Sequence, residues 1–258
     1  MIQGSFHIVE KHSLAREVYQ YTLSAGRIAR SAQAGQFVHV LCPGHGTLRR
    51  PISLCRIDPD KGRIQLVFEV RGEGTKALSS LREGDMMDIM GPLGHGFALL
   101  DPAKKAIVVG GGIGVPPMLE TAAHYGANCR AVLGFRSADA VILTRDFEAL
   151  GCETLLSTDD GTRGRKGFVT DSLRETLDRE TADILYACGP LPMLKGVAAI
   201  ARERGIRCQV SLEERMGCGI GACLVCACKT QKEGREGYSH VCKDGPVFES
   251  LELPGLFE

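Results

Sequence analysis

Short runs within residues 1–98 alternate apolar, β-branched and aromatic residues with polar ones, which is the pattern of half-buried β-strands. Turn-forming sequences, such as the segment 58–62 (DPDKG), separate these runs. No long helical pattern interrupts them, although the stretch 75–81 can form one helix. The pattern therefore predicts a small antiparallel β-barrel. Its predicted strands include 6–9, 18–23, 36–41 and 64–70.

From Lys105 onward, buried apolar runs alternate with helical patterns. This alternation predicts an α/β domain with a doubly wound parallel sheet. The predicted strands cover 106–109, 131–133, 154–156 and 184–187, and the predicted helices cover 118–124, 144–150, 168–178 and 191–204. From about Arg207 the chain is rich in Cys and Gly and is too short to build its own core. We expect a metal cluster to stabilise it.

The pattern thus divides the chain into a barrel domain at 1–99, an α/β domain at 102–206 and a cysteine-rich domain at 207–258. The 31 basic residues balance the 31 acidic ones, so the formal net charge is zero. A chain without basic excess is a poor partner for nucleic acid or for anionic membrane surfaces. The sequence has neither a signal-peptide pattern nor a run of about 18 apolar residues. We therefore expect a cytoplasmic protein that does not associate with a membrane.

Five of the 11 cysteines lie within residues 218–242. Four of them follow the spacing C-x4-C-x2-C-x15-C, which is typical of plant-type ferredoxin ligands for a [2Fe–2S] cluster. A structural zinc site is the alternative, but zinc usually takes two close pairs of cysteines. The spacing favours iron–sulfur. The fifth cysteine, Cys228, is one more than the four ligands that a cluster needs. It can replace one of the four as a ligand, but we expect it to be a free thiol that does not bind the cluster.

Glycine-containing turns follow two of the predicted α/β strands, at 110–114 and 188–190. Backbone amides at such turns, and the helix N-termini behind them, can bind phosphate groups at the carboxyl edge of a parallel sheet. Pro117 interrupts the full dinucleotide fingerprint, so the turns indicate a nucleotide site without identifying the nucleotide. In the barrel half, the segments 49–53 (RRPIS) and 72–75 (GEGT) are further potential phosphate contacts.

Together, the segments 50–53 (RPIS), 72–75 (GEGT) and 110–117 (GGGIGVPP) and the cysteines of 218–242 carry a resemblance over essentially the whole chain. The sequence closely resembles the electron transfer subunits of NAD-dependent (class B) dihydroorotate dehydrogenases, within the ferredoxin reductase superfamily. The resemblance implies an FAD-binding barrel, an NAD(H)-binding α/β domain and a C-terminal [2Fe–2S] segment. Most superfamily members have a flavin-stacking Tyr at the position of Ile52, and this subgroup does not.

The resemblance also implies roles for individual residues. Arg50 and its neighbours Pro51 and Ile52 would contact FAD, with Arg50 on the pyrophosphate and Ser53 beside the flavin ring. The other implied flavin contacts are Val67, Phe68 and Glu69, although relatives often carry Arg at the position of Glu69. The implied FAD phosphate contacts are Gly74 and Thr75. The implied NADH contacts are Gly112, Gly114, Cys188 and the segment 158–161. The implied cluster ligands are Cys218, Cys223, Cys226 and Cys242.

In the family, two electrons enter from NADH as a hydride and leave singly through the cluster, and FAD can divide the pair. The implied partner is an FMN-containing catalytic subunit that oxidises dihydroorotate to orotate in pyrimidine biosynthesis, in a heterotetramer of two plus two subunits. No residue here resembles a base that would act on dihydroorotate, so no catalytic residue for that step is expected in this chain.

Two other functions fit parts of the pattern. Related subunits serve NADH-dependent ferredoxin:NADP oxidoreductases and sulfide dehydrogenases, some of which use an aspartate ligand, whereas all four positions are Cys here. A zinc-stabilised regulatory nucleotide-binding module without redox activity is the third reading. Arg163 and Arg165 could accept the 2′-phosphate of NADPH, but Asp159 and Asp160 are typical of NADH binding, which we expect.

Overall fold

The computed structural model describes residues 1–44, 46–232 and 234–257, and its N-terminal part is a closed barrel of six antiparallel strands in the order β1-β2-β5-β4-β3-β6. The predicted antiparallel barrel is therefore confirmed. The strands are β1 (Ile2–Ala15), β2 (Val18–Ser24), β3 (Phe37–Val40), β4 (Arg50–Asp58), β5 (Arg63–Glu69) and β6 (Met86–Leu93). Two helices accompany them, α1 (Gly26–Ala29) and α2 (Glu73–Ser80).

Side chains along the barrel strands alternate between the barrel interior and an outer face. Val38 and Val40 of β3 are completely buried in the interior core, where they join Ile52 of β4. Phe37 packs instead in a different core, outside the barrel. In the antiparallel register Phe37 pairs with Ser53 and His39 with Pro51. We call the surface that carries Phe37, His39, Pro51 and Ser53 the outer barrel face.

The second part is a seven-stranded sheet in the order β10-β9-β8-β7-β11-β12-β15, parallel except for β15 at the edge. Helices cover both faces, α5 and α6 on one and α3 and α4 on the other, so the predicted doubly wound sheet is confirmed. The strands are β7 (Ala106–Gly111), β8 (Cys129–Phe135), β9 (Glu153–Thr158), β10 (Arg165–Lys166), β11 (Ile184–Cys188), β12 (Arg207–Ser211) and β15 (Val247–Glu249). The helices are α3 (Pro116–Tyr125), α4 (Thr144–Ala149), α5 (Val169–Arg179) and α6 (Leu191–Arg204).

Between β12 and β15 lies the cysteine segment, residues 212–246, which contains the hairpin of β13 (Ala227–Lys232) and β14 (Arg235–His240). Both flanking strands belong to the large sheet, although the sequence pattern assigns everything after residue 206 to the cysteine-rich domain. Strand β12, which is buried from residue 208 to 211, follows α6 and pairs parallel with β11, and β15 pairs with β12 antiparallel. The sheet edge therefore holds both ends of the cysteine segment.

Specific contacts join the barrel to the sheet. The backbone N–H of Ile57 in β4 donates a 3.0 Å hydrogen bond to the Glu120 carboxylate on α3. Inside the sheet core, the Tyr186 hydroxyl lies 2.7 Å from the Tyr125 hydroxyl and 3.1 Å from the carbonyl oxygen of Ala98 in the connecting segment. These buried and partly buried hydrogen bonds fix the connection between the two domains. None of the described helices has both the length and the apolar character required to cross a bilayer.

Candidate cofactor-binding sites

Hydrogen bonds from backbone N–H groups to sulfur atoms connect the four predicted ligands in two pairs. The N–H of Cys218 donates to Cys223 Sγ at 3.4 Å, and the N–H of Cys242 donates to Cys226 Sγ at 3.4 Å. The N–H of Gly221 joins the pairs by donating to Cys242 Sγ at 3.1 Å. In the described part of the chain, no three or more His, Cys, Asp or Glu side chains are arranged to hold a single metal ion. Two pairs of thiolates are the arrangement that a two-iron cluster requires.

Backbone amides at this loop stabilise negative charge on sulfur. Burial alone would raise the pKa of Cys218, but the N–H groups of Ile220 and Ala222, at 3.4 and 3.2 Å, contribute to lowering it to about 6. Burial, followed by the hydrogen bond with Cys226, raises the pKa of Cys242 to about 12. Cys242 therefore retains its proton until a metal displaces it. The donor set fits an iron–sulfur cluster.

In the barrel, Arg50 lies against the N-terminus of α2. A Cβ atom added to Gly74 would be 3.4 Å from Arg50 Nε and 3.5 Å from Nη2, so a side chain there would fill the space between the guanidinium and the helix. The preceding Arg49 is already paired with Asp88 at 2.9 Å. Arg50 donates to the carbonyl oxygen of Leu48 and has no carboxylate partner among the described residues. An unpaired guanidinium beside a helix N-terminus fits a diphosphate.

The other residues predicted to contact FAD lie on different faces of the barrel strands. Pro51 is exposed and Ser53 half-buried on the outer barrel face, whereas Ile52 points into the barrel core. In β5, Val67 packs towards the α/β domain and Phe68 packs against Tyr19 and Tyr21 inside the barrel.

The Thr75 hydroxyl accepts hydrogen bonds from the N–H groups of Arg71 and Gly72, at 2.9 and 3.2 Å. The hydroxyl therefore holds the α2 turn in place, and the free N–H groups of that turn are the groups available for a phosphate.

A cavity of about 1120 Å³ lies between the barrel and the carboxyl edge of the large sheet. Its lining includes Glu69 from the barrel and Gly112, Asp159, Gly189 and Pro190 from the turns that follow the parallel strands. A cleft at this position, formed by several strand ends, is where open α/β sheets bind ligands. It is large enough for a nicotinamide nucleotide.

The two glycine turns are in direct contact. A Cβ added to Gly114 would collide with the carbonyl oxygen of Cys188, so only glycine permits this approach. Gly112 has a φ of +54° and nothing within 4 Å of an added Cβ, which leaves its backbone open to the cavity. Cys188 is 2 % exposed and does not line the cavity, and burial raises the pKa of its thiol to about 12. Its neighbours Gly189 and Pro190 form the cavity wall instead.

Sequence reasoning missed several residues of the cavity wall. Arg136 and Asp139 follow β8 at the carboxyl edge, and this position relative to a predicted strand could have identified them. The hairpin residues Arg16 and Glu17 and the helix-capping Phe168 also line the cavity. No local signal marks these three residues, because the packing of the domains alone brings them to the cleft.

Three family models match the chain in the same order as these sites. An oxidoreductase FAD-binding domain matches residues 5–97, and an oxidoreductase NAD-binding domain matches residues 108–199. The iron–sulfur cluster binding domain of dihydroorotate dehydrogenase B matches residues 213–253. The cofactors of the chain are thus FAD, NAD(H) and an iron–sulfur cluster, and the zinc alternative is wrong.

Curated relatives match over nearly the full length. A protein of Geobacillus thermodenitrificans (strain NG80-2), named dihydroorotate dehydrogenase B (NAD(+)), electron transfer subunit, is 45% identical and covers 95% of this chain and 96% of its own. The chain belongs to this family. A protein of Bacillus cereus (strain B4264) with the same name is 41% identical over 93% of this chain and 94% of its own. The chain is accordingly an oxidoreductase subunit that transfers electrons.

Solved structures agree with this fold. The structure of an NADH-dependent reduced ferredoxin-NADP oxidoreductase superposes with a TM-score of 0.84 at 32% identity, over 96% of this chain and 88% of that one. A ferredoxin reductase of carbazole 1,9a-dioxygenase superposes with a TM-score of 0.69 at 18% identity, over 80% of this chain and 66% of that one. The second match supports the fold only.

Replacing Arg50 by Ala should weaken FAD binding by about 10- to 100-fold, since charge-assisted hydrogen bonds contribute roughly 1.5–3 kcal/mol. FAD titration of deflavinated protein, followed by flavin fluorescence, measures the effect. Arg63→Ala is the matched control, because Arg63 is paired with Glu10 elsewhere on the barrel. Equal FAD affinity in Arg50→Ala and wild type would contradict the assignment.

Replacing Cys226 by Ser should abolish the cluster, because it removes a buried predicted ligand whose sulfur accepts a hydrogen bond from the N–H of Cys242. Iron analysis and visible absorption should show iron falling from about two atoms per chain to near zero, with FAD retained. Cys228→Ser is the matched control and should keep its iron. If the Cys228 variant lost its iron and the Cys226 variant kept it, Cys228 and not Cys226 would be the cluster ligand.

Proposed function

We propose that this chain receives electrons from NADH and delivers them to an FMN-containing catalytic subunit that interconverts dihydroorotate and orotate. The two kinds of subunit would form a heterotetramer of two plus two in the cytoplasm, where the reaction would serve pyrimidine biosynthesis. Sequence identity of 45% over 95% of the chain with a dihydroorotate dehydrogenase B electron transfer subunit carries this proposal. No residue of the chain is assigned to the oxidation of dihydroorotate itself.

The chain's own residues orient the carriers. Bound FAD supplies a group that exchanges two electrons with a nicotinamide and one at a time with an iron–sulfur cluster. In this assignment Arg50 and Gly74 hold the FAD diphosphate at the start of α2, and Ser53 lies beside the flavin on the outer barrel face. The Gly112 turn and the Gly189 turn hold the nucleotide phosphates across the cavity.

The outer part of the cysteine segment is suited to contact with the electron acceptor. Cys223 is exposed, and Ile220, Leu224 and Val225 around it are 48%, 66% and 56% exposed. Apolar side chains grouped on a surface are typical of interaction sites. We call these three residues the apolar rim. Their position beside a ligand cysteine supports docking of the catalytic subunit there, because electron transfer requires the two redox groups to lie close together.

A second function has one specific observation in its favour. The NADH-dependent reduced ferredoxin-NADP oxidoreductase structure matches 96% of this chain at 32% identity. A chain with the same cofactor domains could therefore serve an enzyme of that kind instead. Identity to the dihydroorotate dehydrogenase subunits is higher, and all four cluster positions are Cys. Both observations favour dihydroorotate dehydrogenase.

NADH should be the better electron donor than NADPH by at least about tenfold in kcat/KM. Asp159 lines the cavity and would repel a 2′-phosphate, while Arg165 is occupied by Glu175 at 2.7 Å. Dye-reduction kinetics with both nucleotides measure the ratio. Asp159→Asn should reduce the ratio of kcat/KM for NADH to that for NADPH. Asp160→Asn should leave this ratio unchanged, because Asp160 does not line the cavity. A higher kcat/KM for NADPH with wild type would overturn the preference.

Reconstitution tests the proposed partner. Mixing this holoprotein with the FMN-containing catalytic subunit from the same cell should give NADH-dependent reduction of orotate. Leu224→Glu should weaken the complex by about tenfold or more, because a charge would be buried in the apolar rim. Association measured by sedimentation, with iron and FAD content determined alongside, checks the prediction.

Met86→Glu is the matched control, because Met86 is an apolar side chain that is 45% exposed on strand β6 of the barrel, outside the cysteine segment. It should associate normally. Absence of orotate reduction, together with NADH-dependent exchange between ferredoxin and NADP, would favour the second function. If the Leu224 variant associated normally, the apolar rim would not be part of the interface with the catalytic subunit.

A further inference from the structure

His39 is a fully buried side chain at the contact between the barrel and the cysteine segment. It lies in β3 and is 0% exposed. Neither Nδ1 nor Nε2 of its ring has a hydrogen-bond partner among the described residues. Buried polar atoms in native proteins are almost always hydrogen-bonded. Two unpaired nitrogens on one buried ring therefore point to a group that binds beside it.

The ring projects from the outer barrel face towards the cluster ligands. Its neighbour Phe37, with a ring centroid 5.8 Å away, packs in the same core as Cys226 and Cys242. On the other side, His39 pairs with Pro51, next to the residues assigned to the flavin. His39 thus lies on the surface shared by the FAD motif and the cysteine segment.

The loop that carries the first ligand rests directly on the imidazole. A Cβ added to Gly219 would be 2.7 Å from His39 Nδ1 and 2.7 Å from Cε1. Gly219 follows Cys218 and has a φ of +73°, a conformation that favours glycine. The Nδ1 edge of the ring therefore faces the ligand loop rather than the barrel interior.

The ring is neutral at physiological pH. Burial, and secondarily the charge of Arg49, lowers the pKa of His39 to about 4. A neutral imidazole carries one N–H donor and one acceptor nitrogen. Thiolate and sulfide sulfurs at an iron–sulfur cluster are acceptors only, so the N–H matches them in chemistry.

We propose that His39 is a positioning residue for the iron–sulfur centre, and that its ring N–H donates a hydrogen bond to a sulfur of that centre. Hydrogen bonds to the sulfurs are among the factors that set the reduction potential of such a cluster. His39 would then hold the ligand loop and raise the potential of the cluster next to the flavin. The inference requires the cluster but not the proposed catalytic subunit, so the two can fail separately.

The first test is a redox titration of the purified holoprotein, with the cluster followed by electron paramagnetic resonance and FAD by visible absorption. His39→Leu should make the cluster potential more negative, since it removes the donor. His39→Gln keeps an N–H donor and should lie close to wild type. The flavin potential should be nearly unchanged in both variants.

Met90→Leu is the matched control for packing. Met90 pairs with His39 across β3 and β6 and lies in the same core as Cys226 and Cys242, but it donates no hydrogen bond. Its cluster potential should equal that of wild type. An unchanged cluster potential in His39→Leu, an equal shift in Met90→Leu, or a shift of the flavin alone would overturn the proposal.

A second measurement does not depend on the Leu variant folding. Hyperfine spectroscopy of the reduced cluster, with ¹⁵N-labelled histidine, should show a weak nitrogen coupling and an exchangeable proton in wild type. The nitrogen coupling should disappear in His39→Gln, whereas an exchangeable proton should remain, because the Gln side-chain amide and the backbone N–H groups of Ile220, Gly221 and Ala222 still donate to the sulfurs. His240, whose Nδ1 is 3.4 Å from Asp244, remains in that variant as an internal control. Identical spectra from the two proteins would assign the coupling to His240 and refute the proposal.

Discussion

The core that the cysteine segment shares with the barrel and the α/β domain determines how the three cofactor sites lie relative to one another. Cys226 and Cys242 are at most 2% exposed and pack in one apolar cluster with Phe37 of β3 and Val197 of α6. The inner ligands are therefore also core residues, and they cannot move without disturbing both neighbouring domains. Metal binding and domain packing thus stabilise the same contacts.

The four predicted ligand cysteines differ in how deeply they are buried. Cys226 and Cys242 are buried against the barrel, while Cys218 is half-buried and Cys223 exposed. Cys226 and Cys242, the inner pair, face the domain assigned to FAD, and Cys223 of the outer pair is exposed beside the apolar rim. This polarity suits a centre that receives electrons from inside the chain and passes them outward. A zinc site with only a structural role would not require such an orientation.

The sequence predicted the features that depend on local pattern, and the structure adds those that depend on tertiary packing. The barrel and the alternating α/β elements followed from periodicity, and the cluster from cysteine spacing. Strand β6 (Met86–Leu93) has few β-branched residues and contains Gly and Pro, so it gave no clear signal. The pairing of β12 with β11, the cavity residue Arg16 and the burial of His39 result from contacts between segments distant in the chain. No window of sequence contains that information.

Glu69 shows how a departure from the family pattern can be compatible with the same site. The family resemblance leads us to expect Arg at this position, and here Arg71, two residues later, lies 2.7 Å from the Glu69 carboxylate. Both residues line the cavity, and their side chains are 65% and 40% exposed, Arg71 being the more exposed. Exposed ion pairs contribute little stability, so Arg71 can leave Glu69 for an anionic ligand at small cost. Arg71 thus places a guanidinium at the cavity wall, two residues from the position of Glu69.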